Sequence, residues 1–455
     1  MQIKSTLKQL IKNNPLYKDF IRPMRIKLKE KALAKLDDES YFIKRHKKIF
    51  GYTPDFKNPQ TFNEKIIHRI LFDRNPIYTA LADKLKARIY IATILKDFNA
   101  NNTLDSNKDA NTLVSHTNHI THITTGGGGK YSLNQNDTES SNMISQEAQN
   151  KENKNSESKY TSNSQSTQNI DFTQHTPQSP TPTPNQAINN PDALLTKDSL
   201  LFQPIDTLTQ ELFNTNFCPY LPKLYGIYKS VDEIDFSKLP QSFVLKTNHA
   251  SGGVVPVPNK ETFLSDSMGF EKAMDKLTKN LNINYYTLYR EWHYKDIEPR
   301  IFAEEMLDCG KNSDDKKWEA PLDYKIHIMH DKIGYIEVAA DSVRHHKELI
   351  VDTQYNEMPF DLGNRMDFLP EKPKDFDIML DMARKLAYFT DYVRVDLYYV
   401  NNKIYVGELT FTNAGGADTF NPQEWDRKLG ELWQPNLCKQ YEACANNLLS
   451  CSKSL

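Results

Sequence analysis

The 455-residue chain predicts an α+β architecture, with helices layered on antiparallel strands, rather than a doubly wound parallel sheet. Three observations carry that expectation. Beyond about residue 200, strand patterns come in runs with helices between them. Residues 391–410 read as a β-hairpin, with Val393, Val395 and Leu397 alternating against Arg394, Asp396 and Tyr398 around an Asn401-Asn402 turn. Residues 37–96 read as mainly helical, with a capped helix start.

Taken in order, residues 1–36 read as a basic helical extension that holds ten Lys and Arg against Asp19 and Glu30. Leu7, Leu10 and Ile11 give it a short apolar stripe, which suits either a solvated helix or a basic amphipathic segment on anionic lipid. Residues 37–96 follow as an N-terminal helical part. There Thr61 and Glu64 have the spacing of a capping box, and Ile66, Ile67, Ile70 and Leu71 recur at helical period. Asn75-Pro76 breaks that helix, and residues 78–95 are expected to form one more.

Residues 97–198 are dominated by Asn, Ser, Thr and Gln. Such a tract buries too little apolar area to offset its ordering entropy, so a disordered insertion inside one fold is expected. It carries two decoys. Gly126 to Lys130 imitates a phosphate loop, but Thr124 and Tyr131 stand where that motif needs Gly and Ser or Thr. His116, His119 and His122 are evenly spaced yet have no acidic or cysteine partners.

Order is expected to resume with a helix over 200–212 and a strand within 219–228. Strands at 243–247, 254–257 and 300–307 and a helix at 270–281 complete a segment 199–310. Strands at 324–329 and 334–338, a helix at 376–389 and the hairpin make a second segment, 311–435, before a tail at 436–455.

Composition narrows the function. Formal charge is −2, so nothing global points to nucleic acid. The five cysteines are scattered without a CxxC pair, which fits reduced thiols in a cytoplasmic protein and no zinc site. No apolar run is long enough to span a bilayer, and the N-terminus lacks the apolar core of a signal peptide.

The hairpin carries the sharpest chemistry. Arg394 and Asp396 share one strand face, and Glu408 returns on the second strand beside Asp396. Two carboxylates and an arginine on neighbouring strands suit a hard cation held against a phosphate. The same residues also suit a cross-strand ion pair on a solvated face. Lys246 leads from a strand into Ser251, Gly252 and Gly253, a loop whose backbone N–H groups suit phosphate oxygens or an ordinary hairpin turn. Glu304 and Glu305 end another strand, while Asp323, Lys325 and His327 share a face of the next.

The order of these pieces resembles the ATP-grasp fold, two α+β subdomains that clasp ATP. The segments Asn58 to Lys65, Ala82-Asp83-Lys84, Lys246 to Gly253, Arg290 to Trp292, Pro299-Arg300, Asp323 to Lys325, Arg394 to Leu397 and Phe420 to Asp426 resemble the TupA-like ATP-grasp family. Members occur in capsule, lipopolysaccharide and teichuronopeptide synthesis. The likeness spans about residues 37–96 and 200–435.

The resemblance implies ATP and Mg2+ as cofactors. It implies that Lys246, Ser251, Gly252 and Gly253 handle phosphates, with the last three as a flexible lid. Glu304 and Glu305 would lie at the adenine and ribose edge, Asp323 at the ribose, and Lys325 at the terminal phosphate. Asp396 and Glu408 would bind magnesium, and Arg394 would neutralise an acyl phosphate. Many ATP-grasp ligases place asparagine two residues after the metal glutamate, where this chain has Thr410; either Thr410 or Asn413 would supply that oxygen. The turn from Asn413 to Gly416 would border the acceptor pocket, and Arg344 is a candidate either for gripping an anionic sugar or amino acid or for a structural ion pair.

The implied activity is an ATP-dependent carboxylate–amine ligase joining an amino acid or amine to a carboxylate-bearing sugar or polymer. A glycosyltransferase-like enzyme of the same pathway and a non-catalytic ATP-grasp scaffold are the alternatives.

Overall fold

The computed structural model describes residues 35–98, 194–196, 199–307, 320–340 and 346–435. All of them belong to one unit, residues 1–104 with 182–455; the second unit, 105–181, lies outside the described residues. So do the glycine run, the three histidines of the insertion, Arg344, and all but the last two residues of the basic extension.

The chain opens with α1 (Asp38–Phe50), capped by the Asp37 carboxylate on the Ser40 N–H. The expected capping box opens α2 (Phe62–Phe72): Thr61 accepts from the Glu64 N–H at 3.2 Å, and Glu64 accepts from the Thr61 N–H at 3.1 Å. The single helix expected over 78–95 is instead two, α3 (Pro76–Ala82) and α4 (Lys84–Ile94). Asp83 makes the break. Its backbone is extended, and its carboxylate caps the Leu85 N–H at 2.9 Å while accepting from the Asn248 amide at 2.9 Å. That long-range partner is invisible to local periodicity.

The helix expected over 200–212 is also broken up. Pro204 separates two 3₁₀ turns, Leu200–Phe202 and Ile205–Leu208, before the short α5 (Thr209–Asn214). Beyond it come β1 (Leu224–Tyr228), β2 (Phe243–Thr247), β3 (Val254–Val257), α6 (Lys260–Ser265), α7 (Ser267–Leu281), α8 (Tyr285–Tyr289) and β4 (Ile301–Glu304). Then follow β5 (Asp323–Met329), β6 (Lys332–Ala340), β7 (Lys347–Val351), α9 (Phe376–Ala387), β8 (Tyr392–Val400), β9 (Lys403–Thr410) and α10 (Glu424–Glu431). No helix among the described residues is long and apolar enough to cross a membrane.

The strands form two antiparallel sheets, a four-stranded one in the order β1-β4-β2-β3 and a five-stranded one in the order β7-β6-β5-β8-β9. In the larger sheet, period-2 alternation sends Tyr324, Ile326, Ile336, Val338, Val393 and Val395 to a core shared with α9 and α4. The opposite face carries the polar set Asp323, Lys325, His327, Arg394 and Asp396. The smaller sheet buries Phe243, Leu245, Ile301 and Ala303 with Leu277 of α7. A third, aromatic core joins α2 to the large sheet through Phe62, Tyr335, Tyr392, Phe420 and Trp433. This is the α+β, ATP-grasp organisation anticipated above. β7, α6, α8 and α10 were not foreseen.

Candidate active site

The two sheets and α4 enclose a cleft of about 390 Å³, a volume in the range of small-molecule sites. Its apolar walls include Ile91, Leu221, Val244, Phe302 and Leu409. Its polar lining draws Lys246 from β2, Glu304 from β4, Asp323 and Lys325 from β5, Arg394 and Asp396 from β8, and Glu408 from β9. Ser251, Gly252 and Glu305 line it as well. Residues far apart in sequence thus converge on one space.

The hairpin does what its pattern required. Asn401 and Asn402 have φ of 52° and 58°, the left-handed pair of a two-residue turn between Val400 and Lys403. That turn fixes the register, and a bulge after Asp396 leaves Gly407 as the extra residue on β9. Glu408 lies directly opposite Asp396 in consequence. A side chain at Gly407 would run into the Tyr398 ring, since its Cβ would stand 2.6 Å from Cε2.

Asp396 is the hub of the buried charges. Arg394 donates to its two oxygens at 2.7 Å each, and Lys325 approaches at 3.4 Å. Lys325 also donates to Asp323. Burial alone would lower the Lys325 ammonium; Asp396 and Asp323 more than offset it and raise it. Burial raises the Asp323 carboxyl to about 6 against the pull of Lys325. Glu408 sits 2.9 Å from Lys84 and 3.8 Å from Arg394. Burial works against its charge, but Lys84 and then Arg394 hold the carboxyl well below the usual range.

At the other sheet, Glu304 lies between Lys246 at 2.5 Å and Arg88 at 3.3 Å. Glu305 is tied instead to the chain before β1, its N–H donating to the Lys223 carbonyl at 2.8 Å and its carboxylate accepting from the Lys223 N–H at 3.1 Å. The loop from Asn248 to Gly253 has an anchored root and an exposed tip at Ser251 and Gly252. Asn248 accepts from the Arg300 N–H at 2.7 Å and donates to Asp83 and to the Glu298 carbonyl. Gly252 has φ of 84°, and a Cβ at Gly253 would meet Thr247 and Asn280 at 2.3 Å, so both positions need glycine.

Thr410 and Asn413 are not among the cleft-lining residues. Thr410 pairs across the ladder with Arg394. Asn413 is occupied on both sides, accepting from Arg394 at 2.5 Å and donating to Asp418 at 2.6 Å. His327 turns to Glu337 at 2.8 Å and to the Tyr392 hydroxyl at 3.1 Å.

Sequence reasoning gave no role to Lys84, Arg88 or Tyr398, although all three line the cleft. The spacing of Lys84 and Arg88 on one helix face was a usable signal. Their partners, however, lie beyond the long polar tract.

Asp396 and Glu408 stand opposite each other on the ladder, and Oδ1 of Asp323 is buried without a hydrogen-bond partner; among the described residues no three of His, Cys, Asp and Glu are grouped so as to hold a metal ion by themselves.

A clasp of two antiparallel sheets, with a lysine and a glycine loop on one and paired carboxylates on the other, defines the ATP-grasp class. Residues 219–434 match the model of the TupA-like ATP-grasp family. None of the curated proteins searched matches.

Among solved structures, the chain is similar to D-alanine–D-alanine ligase from Bacillus anthracis complexed with ATP, at 14% identity and TM-score 0.25, covering 55% of this chain and 74% of that one. It is similar to the ATP-grasp ligase PsnB complexed with minimal precursor, at 12% identity and TM-score 0.24, covering 50% and 55%. It is similar to phosphoribosylamine–glycine ligase from Thermotoga maritima, at 13% identity and TM-score 0.25, covering 45% and 46%. Likenesses this remote carry no argument about activity.

Outside the cleft, Glu291 forms a second buried polar contact. It accepts from the Thr412 hydroxyl, which also lies 3.3 Å from His293, and the Arg45 guanidinium is nearby. Burial raises the Glu291 carboxyl from 4.5 to about 7. The folded state therefore holds a proton that the unfolded chain releases near pH 4.5, and this contribution to stability is lost as pH rises towards 7. Glu291→Gln is expected to match the wild type near pH 4.5 and to be more stable by roughly 3 kcal/mol above pH 7. Denaturant melts at the two pH values check this; equal stabilities throughout would contradict it.

Proposed function

We propose that this protein is an ATP-dependent carboxylate–amine ligase acting in bacterial surface polysaccharide synthesis. The observation that carries the reading is the meeting of Lys246 and Glu304 from one sheet with Asp396, Glu408 and Arg394 from the other across a single cleft. The pathway rests on the family, whose members occur in capsule, lipopolysaccharide and teichuronopeptide synthesis.

In this reading the adenine lies among Ile91, Leu221 and Phe302, and Glu304 and Glu305 stand at the base and ribose edge, with Asp323 at the ribose. Lys246 and the N–H groups of Ser251, Gly252 and Gly253 bind phosphate oxygens. Asp396 and Glu408 would hold magnesium; Thr410 and Asn413 lie outside the cleft lining and are not part of that set. Bound there, magnesium neutralises the repulsion between the γ-phosphate and an incoming carboxylate.

A carboxylate oxygen of the acceptor then attacks the γ-phosphorus, the bond to ADP breaks, and an acyl phosphate forms. Lys325 faces the transferring phosphate, and Arg394 stabilises the acyl phosphate and the oxyanion formed when the amine nitrogen attacks the acyl carbon. Phosphate leaves, and the nitrogen gives up its proton. The turn from Asn413 to Gly416 borders the acceptor pocket.

The test is release of ADP and phosphate from ATP and Mg2+ by the purified protein, with amino acids offered together with glucuronic or galacturonic acid. Turnover that needs both a carboxylate and an amine is expected. ATP binding with no turnover on free or polymer-linked acceptors would overturn the ligase in favour of a scaffold.

A further inference from the structure

The residues matched to the family begin at 219, yet α3 and α4 supply part of the cleft wall from far upstream. Lys84 opens α4 and is fixed at its root. Its N–H donates to the Asn248 carbonyl at 3.1 Å, and the neighbouring Asp83 accepts from the Asn248 amide at 2.9 Å. Its ammonium lies between the glycine loop and the metal-side carboxylate, 2.9 Å from Glu408 and a long 3.4 Å from the Ala250 carbonyl.

One turn further along, about 6 Å by helix geometry, Arg88 reaches Glu304 at 3.3 Å and also donates to the Pro222 carbonyl. The helix thus runs along the cleft, with Lys84 at the end of Glu408 and Arg88 at the end of Glu304.

An ammonium and a divalent cation compete for one carboxylate. When Glu408 takes a metal, the two positive charges repel, and Lys84 has a flexible four-carbon stem with which to leave. Resting on the ATP-cleft reading, we infer that Lys84 is a phosphate-binding residue of this site. It neutralises Glu408 in the empty cleft and moves its ammonium onto the terminal phosphate of ATP when nucleotide and magnesium enter. Arg88 is a positioning residue that holds Glu304, and through it Lys246, in place.

The test is calorimetric titration of the full chain with ATP and with ADP, both in the presence of Mg2+. Lys84→Met is expected to weaken ATP binding about tenfold or more, the loss of one charge-assisted hydrogen bond, and ADP binding less than about twofold. Lys84→Arg is expected to restore most of the ATP affinity. If the Met variant does not fold, Lys84→Gln replaces it.

Wild-type affinity for ATP in the variant, or equal losses for ATP and ADP, would overturn the inference while leaving the nucleotide reading intact. A wild-type protein that binds neither nucleotide would overturn both.

Discussion

Glu408→Gln is expected to abolish magnesium-dependent ATP turnover, by at least about 100-fold, while the protein melts close to the wild type. The Glu408 side chain is 31% exposed and its partners sit at 2.9 and 3.8 Å, so its ion pairs are partly screened by water. Asp396→Asn is expected to behave differently. That carboxylate is 4% exposed and receives two bonds from Arg394 and a third from Lys325. Neutralising it leaves two buried cations short of a partner, which costs about 3–5 kcal/mol. Turnover and fold should therefore fail together at Asp396 and separate at Glu408. Thermal unfolding beside ADP release distinguishes the two, and retained turnover in folded Glu408→Gln would sink the metal assignment.

The largest effect on stability is expected at Arg69. This α2 residue is 1% exposed and donates to Asp391, to the Tyr392 carbonyl at 2.7 Å and to the Phe411 carbonyl at 3.1 Å. Its guanidinium carbon lies 4.9 Å from the Tyr78 ring centre and 4.8 Å from that of Trp433. Asp391 and Tyr392 lead into β8, and Phe411 follows β9, so Arg69 clamps both strands of the hairpin that carries Arg394, Asp396 and Glu408.

Arg69→Met removes the cation paired with the Asp391 carboxylate and the donor to two core carbonyls, with an expected loss of about 3–5 kcal/mol. Asp391→Leu alone should be similarly damaging, and the double variant should lose clearly less than the sum. Denaturant unfolding of the four proteins forms the cycle; additive losses would show that the pair does not act as a unit.

The parts of the fold legible in the sequence were those set by local rules. The hairpin followed from strict alternation and an Asn-Asn turn, and Thr61 with Glu64 marked a helix start because a capping box closes within four residues. The illegible parts depended on distant partners. Asp83 ends one helix and begins another because Asn248 holds it. β7 carries Glu348 and Leu349 to Val351 in a short run buried by the sheet beside it, and gave no separate signal. At the site, the facing of Asp396 and Glu408 was readable because one hairpin contains both. The contacts of Lys84 with Glu408 and of Arg88 with Glu304 were not, because no local period links residues on opposite sides of a long polar tract.

Two helices ahead of that tract complete the cleft and also cover the large sheet. Tyr90 of α4 donates to the Leu386 carbonyl at 2.8 Å and packs on Phe389, and Leu85, Ile89 and Ile94 are buried in the same core. A recombinant fragment trimmed to residues 219–434 would therefore be cut through its own hydrophobic interior. The smallest piece worth expressing begins upstream of α1 and carries, or bridges with a linker, the polar tract in between.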